Sequence, residues 1–237
     1  INKARALYYN LFANFFILSS KSENYFELIR LIKILKENPL DESSGEALEN
    51  ILVLLDPSSN VVLIKEFDDL FHNPTTKKIR QTASFYDEGV ESGKKRVEMI
   101  QFVAKTKIRR DEKNYFEYED SVGFIFSLMA ELTNQISNGE RVYENTVHCI
   151  FAEILNEFIE EFAKELMIVL HSFVAFERLY LEVSKAPKKE RIVKKEEETC
   201  DVISDEEMAR RARNKALKAL GPKEEEACPI DIVSVGE

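Results

Sequence analysis

The last long apolar stretch decides the fold: residues 142–183 read VYENTVHCIFAEILNEFIEEFAKELMIVLHSFVAFERLYLEV, with no Pro or Gly. Large apolar side chains recur in it every three or four residues, which is the spacing of one face of an α-helix. The stretch fits either one long helix or two helices with a bend, and both alternatives stay open. Its apolar positions are Phe151, Ile154, Leu155, Phe158, Phe162, Leu166, Leu170, Phe173, Phe176 and Leu179.

The same periodicity repeats upstream in segments that end at Asn38-Pro39, Asp56-Pro57 and Asn73-Pro74. No segment shows a convincing alternation of apolar and polar residues. The chain contains only 7 Gly and 6 Pro, which is sparse for a β-sandwich or barrel with its frequent turns. We therefore predict an all-α fold, a single globular bundle of about eight to ten helices.

The aromatic residues mark a boundary along the chain. All 16 Phe and 8 Tyr lie at or before Tyr180, and aromatic side chains dominate core burial. We predict a helical domain over residues 1–185 and a charged tail over residues 186–237. Within the tail, Ser204 is a good N-cap and Gly221-Pro222 a good stop, so one short helix is expected over about residues 204–220.

The net charge and the cysteine content limit which partners the protein is expected to bind and which cellular compartment it fits. The net charge is −10, from 43 acidic and 33 basic residues, which gives no support for binding nucleic acid. The 3 Cys imply no disulfide framework and fit a reducing compartment. No apolar run approaches the roughly 20 residues of a membrane span. We expect a protein of a reducing compartment, without stable membrane insertion.

The sequence offers no catalytic or metal-binding constellation. It has neither a Gly-rich phosphate loop nor a GxSxG nucleophile motif. His148 and Cys149 are adjacent, and adjacent helix positions point in different directions, so packing or surface roles are favoured. Cysteine spacing typical of zinc sites is missing. We expect no catalytic residue, no metal site and no cofactor.

Three short segments stand out from this helical background. They are FDDLFHNP at residues 67–74, ASFYDEG at residues 83–89 and FEYEDSVG at residues 116–123. In their order, they resemble the TorD/DmsD/NarJ family of redox-enzyme maturation chaperones. That family has an aromatic-x-x-Leu-Phe segment with a following Pro, then a Ser-Val-aromatic segment, then a Glu-x-Pro/Glu-Asp-His segment that opens a helix. The matching residues are Phe67, Leu70, Phe71, Pro74, Ser84, Phe85, Tyr86, Glu117, Glu119 and Asp120.

The sequence also departs from that family's pattern. The family's His after the Asp is Ser121 here, the chain has no Trp, and the long tail is not a typical family feature. The loss of an imidazole removes a titrating group from the expected site.

The resemblance implies a non-catalytic cytoplasmic chaperone, either a monomer or a homodimer. Such a protein binds the twin-arginine signal peptide, or the apoprotein, of a molybdopterin oxidoreductase of the formate dehydrogenase, dimethyl sulfoxide reductase or trimethylamine oxide reductase type. The signal's arginines call for carboxylates and its apolar region calls for an apolar wall. The partner-binding residues expected on this basis are Leu70, Phe71, Ser84, Phe85, Tyr86, Glu117, Glu119, Asp120 and Ser121.

Other interpretations remain open for some of these residues and for the function. Leu70 and Phe71 have a core-forming spacing, so core and site are equally open to them. Asp120 precedes a predicted helix and is a good N-cap candidate. A helical adaptor that binds an amphipathic partner helix, unrelated to redox enzymes, is the main alternative function. A nucleotide-responsive switch and an enzyme are further classes, without supporting motifs.

Overall fold

A computed structural model of the chain describes residues 1–17, 22–73, 79–113, 115–163 and 168–187. Every described residue belongs to one compact unit. The predicted tail, including its short helix, lies outside the described residues except for positions 186 and 187.

The described residues form ten α-helices. Their only β pairing is an isolated antiparallel bridge between Thr82 and Ser121, and the all-α prediction is confirmed. The helices are α1 (Asn2–Phe16), α2 (Ser22–Glu37), α3 (Glu42–Leu54), α4 (Val61–Phe67), α5 (Ala83–Glu88), α6 (Lys94–Ala104), α7 (Val122–Ser137), α8 (Glu144–Cys149), α9 (Asn156–Ala163) and α10 (Ile168–Tyr180).

Two π-helical segments interrupt this regular pattern. Asp68–His72 continues directly from α4, and Ile150–Leu155 joins α8 to α9. Lys95 Nζ, which is nearly buried, donates a hydrogen bond of 2.7 Å to the carbonyl of Glu153 in the second segment. Segments of this kind occur often at functional sites, and the first one carries Leu70 and Phe71.

Helices α1 and α7 pack together at the centre of the domain, and one glycine permits their close approach. A Cβ atom at Gly123 would lie 2.8 Å from Ile17 Cγ1 and 2.9 Å from the carbonyl oxygen of Phe16. Those distances are too short for any side chain, so the first turn of α7 fits against the end of α1 only because residue 123 is Gly.

Helices α9 and α10 fold back on each other, which decides between the two alternatives for residues 142–183. Arg178 Nε donates to Asn156 Oδ1 at 2.6 Å, and Arg178 Nη1 donates to Glu160 Oε1 at 2.6 Å. In one straight helix, positions 156 and 178 would lie about 33 Å apart at 1.5 Å per residue. The stretch is therefore not one long helix: the chain bends between α9 and α10, and the two helices contact each other.

A buried ion pair connects the first and last helices. Arg5 donates from Nε to Glu177 Oε1 at 2.6 Å and from Nη2 to Oε2 at 2.8 Å. Tyr9 donates its hydroxyl to the same carboxylate at 2.6 Å, and all three residues are buried. In the core beside this ion pair, the Phe173 ring of α10 contacts the rings of Tyr8, Tyr9 and Phe12 of α1.

Among the described helices, none combines the length and apolar character required to cross a membrane.

Candidate functional site

The three motif segments, which lie up to 56 residues apart along the chain, converge in the folded domain. Aromatic contacts join the first segment to the second. Phe71 contacts Phe16 with ring centroids 6.3 Å apart, Phe16 contacts Phe162 at 5.1 Å, and Phe162 contacts Tyr86 at 6.3 Å. Because Phe16 and Phe162 lie between the two motifs, neither motif touches the other directly through these rings.

Ser84 and Asp120 join the second segment to the third. Asp120 Oδ2 accepts a hydrogen bond of 2.9 Å from the Ser84 amide and one of 2.5 Å from the Ser84 hydroxyl. Both residues are fully buried. The backbone adds Ala83 N–H to Asp120 O at 2.9 Å and Val122 N–H to Gln81 O at 2.7 Å. The Asp120 carboxylate, which lies just before α7, thus accepts a hydrogen bond from the Ser84 amide in the first turn of α5, where amides have no partner within their own helix.

The second oxygen of Asp120 is the unusual atom of the site. Asp120 Oδ1 is buried, yet no hydrogen-bond partner for it exists among the described residues. An unpaired buried polar atom costs free energy comparable to a lost hydrogen bond. Asp120 Oδ1 can therefore accept a further hydrogen bond next to Ser84.

Ser121, not Asp120, caps helix α7. The Ser121 hydroxyl accepts from the Phe124 amide at 3.4 Å, which makes Ser121 the N-cap residue, so the N-cap interpretation of Asp120 is wrong. The Ser121 and Tyr115 hydroxyls are 2.7 Å apart and hydrogen-bonded. Burial raises the pKa of Tyr115 to about 12, so both hydroxyls are neutral near pH 7. Ser121 thus occupies the position of the family's His, and its hydroxyl makes hydrogen bonds within the protein.

Two arginines hold Glu119 in place. Arg96 Nε donates to Glu119 Oε2 at 2.9 Å, and Arg110 Nε donates to Oε1 at 2.8 Å. Burial opposes ionisation of Glu119, but the hydrogen bond from Arg96 and the charges of both guanidinium groups outweigh it and lower the pKa of the carboxyl. Glu119 is ionised and already doubly paired near neutral pH.

Arg110 also organises the loop before α7. Its Nη1 donates to the carbonyls of Tyr115 and Glu117, at 3.3 and 3.1 Å. The loop carries Phe116, whose side chain is 83% exposed, and the exposed residue Glu117. The ion pairs therefore fix a loop that presents the Phe116 ring and the Glu117 carboxylate to solvent, beside the exposed Tyr118 ring that Arg96 covers.

A cleft of about 360 Å³ opens at this loop, between the loop residues that follow α6, helix α7 and the end of α1. A cleft of this size is at the lower limit for ligand pockets, so it suits single anchoring side chains rather than a whole helix. Its apolar wall consists of Ile17, Ile108, Tyr115, Phe124 and Leu128.

The nine predicted site residues differ in how accessible they are. Glu117 is exposed, while Leu70, Phe85 and Tyr86 are half-buried. Phe71 is a core residue at 7% exposure, so its core interpretation is correct in this conformation. The remaining four are buried or nearly so, and their polar groups serve contacts within the protein: Ser84, Glu119, Asp120 and Ser121.

Sequence reasoning missed Arg96, Arg110 and the cleft. In the sequence the two arginines are two charges among many, and the pairing of Arg96 with Glu119 spans 23 residues. The one available signal was the position of Arg110, which precedes the third motif by a few residues. Among the residues that the structure describes, no group of three or more His, Cys, Asp or Glu side chains is placed to hold a metal ion.

The fold and the site define an α-helical protein in which short motifs join separate helices around a buried carboxylate. Residues 37–164, more than half of the 237-residue chain, match the family model for the nitrate reductase delta subunit. The chain belongs to this family, whose members are maturation chaperones of molybdenum-containing redox enzymes. The family resemblance of the three motifs is thereby confirmed.

One solved structure shows a weaker likeness. It is the crystal structure of a proposed redox enzyme maturation protein from Archaeoglobus fulgidus, with 14% sequence identity and a TM-score of 0.42. The alignment covers 77% of this chain and 94% of that chain. No curated protein matches the sequence.

Proposed function

We propose that this protein is a cytoplasmic chaperone that binds the twin-arginine signal peptide, the apoprotein, or both, of a molybdopterin oxidoreductase. Binding holds the client back from export until its cofactor is inserted. The observation that carries the proposal is the meeting of the second and third family motifs at Ser84 and Asp120, with the first motif connected to the second through Phe16 and Phe162. Formate dehydrogenase, dimethyl sulfoxide reductase and trimethylamine oxide reductase remain the proposed client types, and the family match adds nitrate reductase.

The nine site residues divide into two proposed roles. The accessible residues Leu70, Phe85, Tyr86 and Glu117 contact the client. The buried residues hold these four in position, since Phe71 packs in the core and the polar side chains of the others make contacts within the protein: Ser84, Glu119, Asp120 and Ser121.

Charge and shape support this division. Glu119 is occupied by Arg96 and Arg110, so the exposed carboxylate of Glu117 is the better partner for a client arginine. A guanidinium group donates two parallel hydrogen bonds to a carboxylate, whereas an ammonium group cannot. The neighbouring cleft receives an apolar side chain of the same peptide.

Calorimetric titration with a panel of signal peptides from the four client types tests the proposal. We expect micromolar binding of at least one peptide and about tenfold weaker binding when its two arginines are replaced by lysines. Phe85→Ala and Glu117→Gln should each weaken binding by about three- to tenfold. The matched controls are Phe26→Ala and Glu140→Gln, which change exposed residues elsewhere, and they should bind as the unmodified protein does.

Two results would contradict the proposal in different ways. If no peptide binds but an apo-oxidoreductase does, the client contact lies on the mature enzyme. If neither binds, the helical adaptor becomes the better interpretation.

A further inference from the structure

Four aliphatic side chains form an exposed patch at the corner between α3 and α4. Val53 and Leu54 lie in the last turn of α3, with 79% and 74% of their surface exposed. Val61 and Val62 open α4, with 65% and 50% exposed. Single exposed aliphatic residues are ordinary, but a group of them at one place marks an interaction site. We call these four residues the corner patch.

A hydrogen-bonded turn connects the two halves of the corner patch. The Ser59 amide donates to Asp56 O at 3.2 Å, and the Ser58 amide donates to Asp56 Oδ1 at 2.8 Å. The Tyr25 hydroxyl of α2 donates to Asp56 O at 2.7 Å and anchors the turn. The connection between the two halves of the corner patch is thus fixed at both the side chain and the carbonyl of Asp56.

The corner patch is separate from the candidate site. Along α4 and the π-helical segment that follows, Phe67 and Phe71 are buried in the core, whereas Val61 and Val62 are exposed. A partner on the corner patch therefore covers the outer face of this helix and leaves the face toward the motifs unchanged.

The surroundings of the corner patch are strongly acidic. Residues 41–69 contain eight acidic residues and one lysine, although the whole chain has a net charge of only −10. Glu46 lies two helical turns before Val53 on the same face of α3, and Glu66 lies one turn after Val62 on the same face of α4. Both glutamates are exposed. Carboxylates thus lie on both sides of the aliphatic side chains.

We propose that the corner patch docks a partner helix whose apolar face is bordered by Lys or Arg. Such a helix places its aliphatic residues on Val53, Leu54, Val61 and Val62 and its cationic residues beside Glu46 and Glu66. A second copy of this chain is a poor occupant, because two acidic borders would face each other and repel. The proposal is independent of the proposed function, since it needs no twin-arginine motif.

A fluorescein-labelled 18-residue helix of Leu and Lys, apolar on one face, is a suitable probe for fluorescence anisotropy. We expect saturable binding that weakens as salt is added. A Leu/Glu peptide of the same pattern should bind at least tenfold more weakly. The double variant Val53→Ser/Leu54→Ser should weaken binding of the Leu/Lys peptide about tenfold, and Glu46→Gln/Glu66→Gln should reduce both affinity and salt dependence.

The matched control is Val97→Ser/Val142→Ser, which removes equally exposed aliphatic side chains from elsewhere on the surface. It should leave the affinity unchanged. Equal loss in the patch variant and the control, or equal binding of the Leu/Glu peptide, would overturn the proposal. Sedimentation provides a second criterion: a dimer of the unmodified protein that Val53→Ser/Leu54→Ser abolishes would assign the corner patch to self-association instead.

Discussion

At the scale of single residues, Ser84 and Asp120 carry most of the connection between the second and third motifs. Both are fully buried, and the carboxylate accepts from the amide and the hydroxyl of the same serine. The pair therefore gives both residues a structural role at the point where the two motifs meet.

Replacing Ser84 with Ala should destabilise the domain, because it removes the hydroxyl that donates to Asp120 Oδ2 and accepts from the Arg96 amide. We expect the free energy of unfolding to fall by about 1–3 kcal/mol, measured by urea unfolding followed by circular dichroism. Ser92→Ala is the control, because Ser92 is exposed and only accepts a bond from Arg96. A loss no larger than that of the control would show that the Ser84 hydroxyl contributes little.

Glu119 makes the stability depend on pH in acid. Its pKa is lowered in the folded protein, so its contribution is complete above the unfolded pKa of about 4.3 and disappears as the pH falls through the folded value. Glu119→Gln should lower the free energy of unfolding by about 2–3 kcal/mol at pH 7, and this difference should shrink below about pH 4. Urea unfolding from pH 7 to pH 3 measures it; a constant difference would contradict the ion-pair role.

At the scale of helices, the ends and crossings of elements decide where the motifs are placed. Helix α3 begins with a capping box, in which Asp41 Oδ1 accepts from the Ser44 amide at 2.7 Å and Ser44 Oγ accepts from the Asp41 amide at 3.1 Å. Hydrogen bonds from Ser44, Ser172 and Ser43 lower the pKa of Asp41 to about 2.

Asp41 provides a prediction that separates capping from charge. Asp41→Ala should cost about 1 kcal/mol at pH 7, whereas Asp41→Asn should cost only a few tenths because Asn is an equally good N-cap. Since the folded pKa is depressed, the stabilisation by the carboxylate is lost as the pH falls from about 4 to 2. Thermal unfolding across this pH range should show a smaller loss of stability in Asp41→Asn than in the unmodified protein, because the contribution of Glu119 is lost in both.

Gly123 provides a second prediction at this scale. In an exposed helix, replacing Gly with Ala stabilises by about 1 kcal/mol. Here the new Cβ would collide with the Phe16 carbonyl, so we expect Gly123→Ala to destabilise the protein by about 1–3 kcal/mol. Unfolding in urea measures the sign, and a stabilised variant would show that α1 and α7 are not closely packed at this point.

At the scale of the whole molecule, the ion pair of Arg5 and Glu177 connects helices from opposite ends of the described chain. Removing one partner of a buried pair leaves an uncompensated charge. Glu177→Gln should therefore cost about 3–5 kcal/mol, while Arg5→Met/Glu177→Met should be less damaging than Glu177→Gln alone. Thermal unfolding of the three proteins checks the order, and a double variant worse than Glu177→Gln would contradict it.

The sequence allowed prediction of the helices and of the motif residues, but not of their contacts. Helices follow from local periodicity, which residues 142–183 show clearly. Which helix faces meet is a long-range property, so the pairing of Arg5 with Glu177 across 172 residues left no local trace. Glu119 and Asp120 were predicted to bind a partner's arginine, because the sequence does not show that Arg96, Arg110 and Ser84 already engage them.

The ion pair between the first and last helices also has a consequence for synthesis. Glu177 leaves the ribosome long after Arg5, by roughly 10–30 s at 5–20 residues per second. During that interval the Arg5 guanidinium has no carboxylate from α10, and the rings of α1 lack Phe173. A nascent chain that stalls before residue 173 thus exposes an incomplete aromatic surface. Helix α10 therefore determines when the core of this maturation chaperone is itself complete.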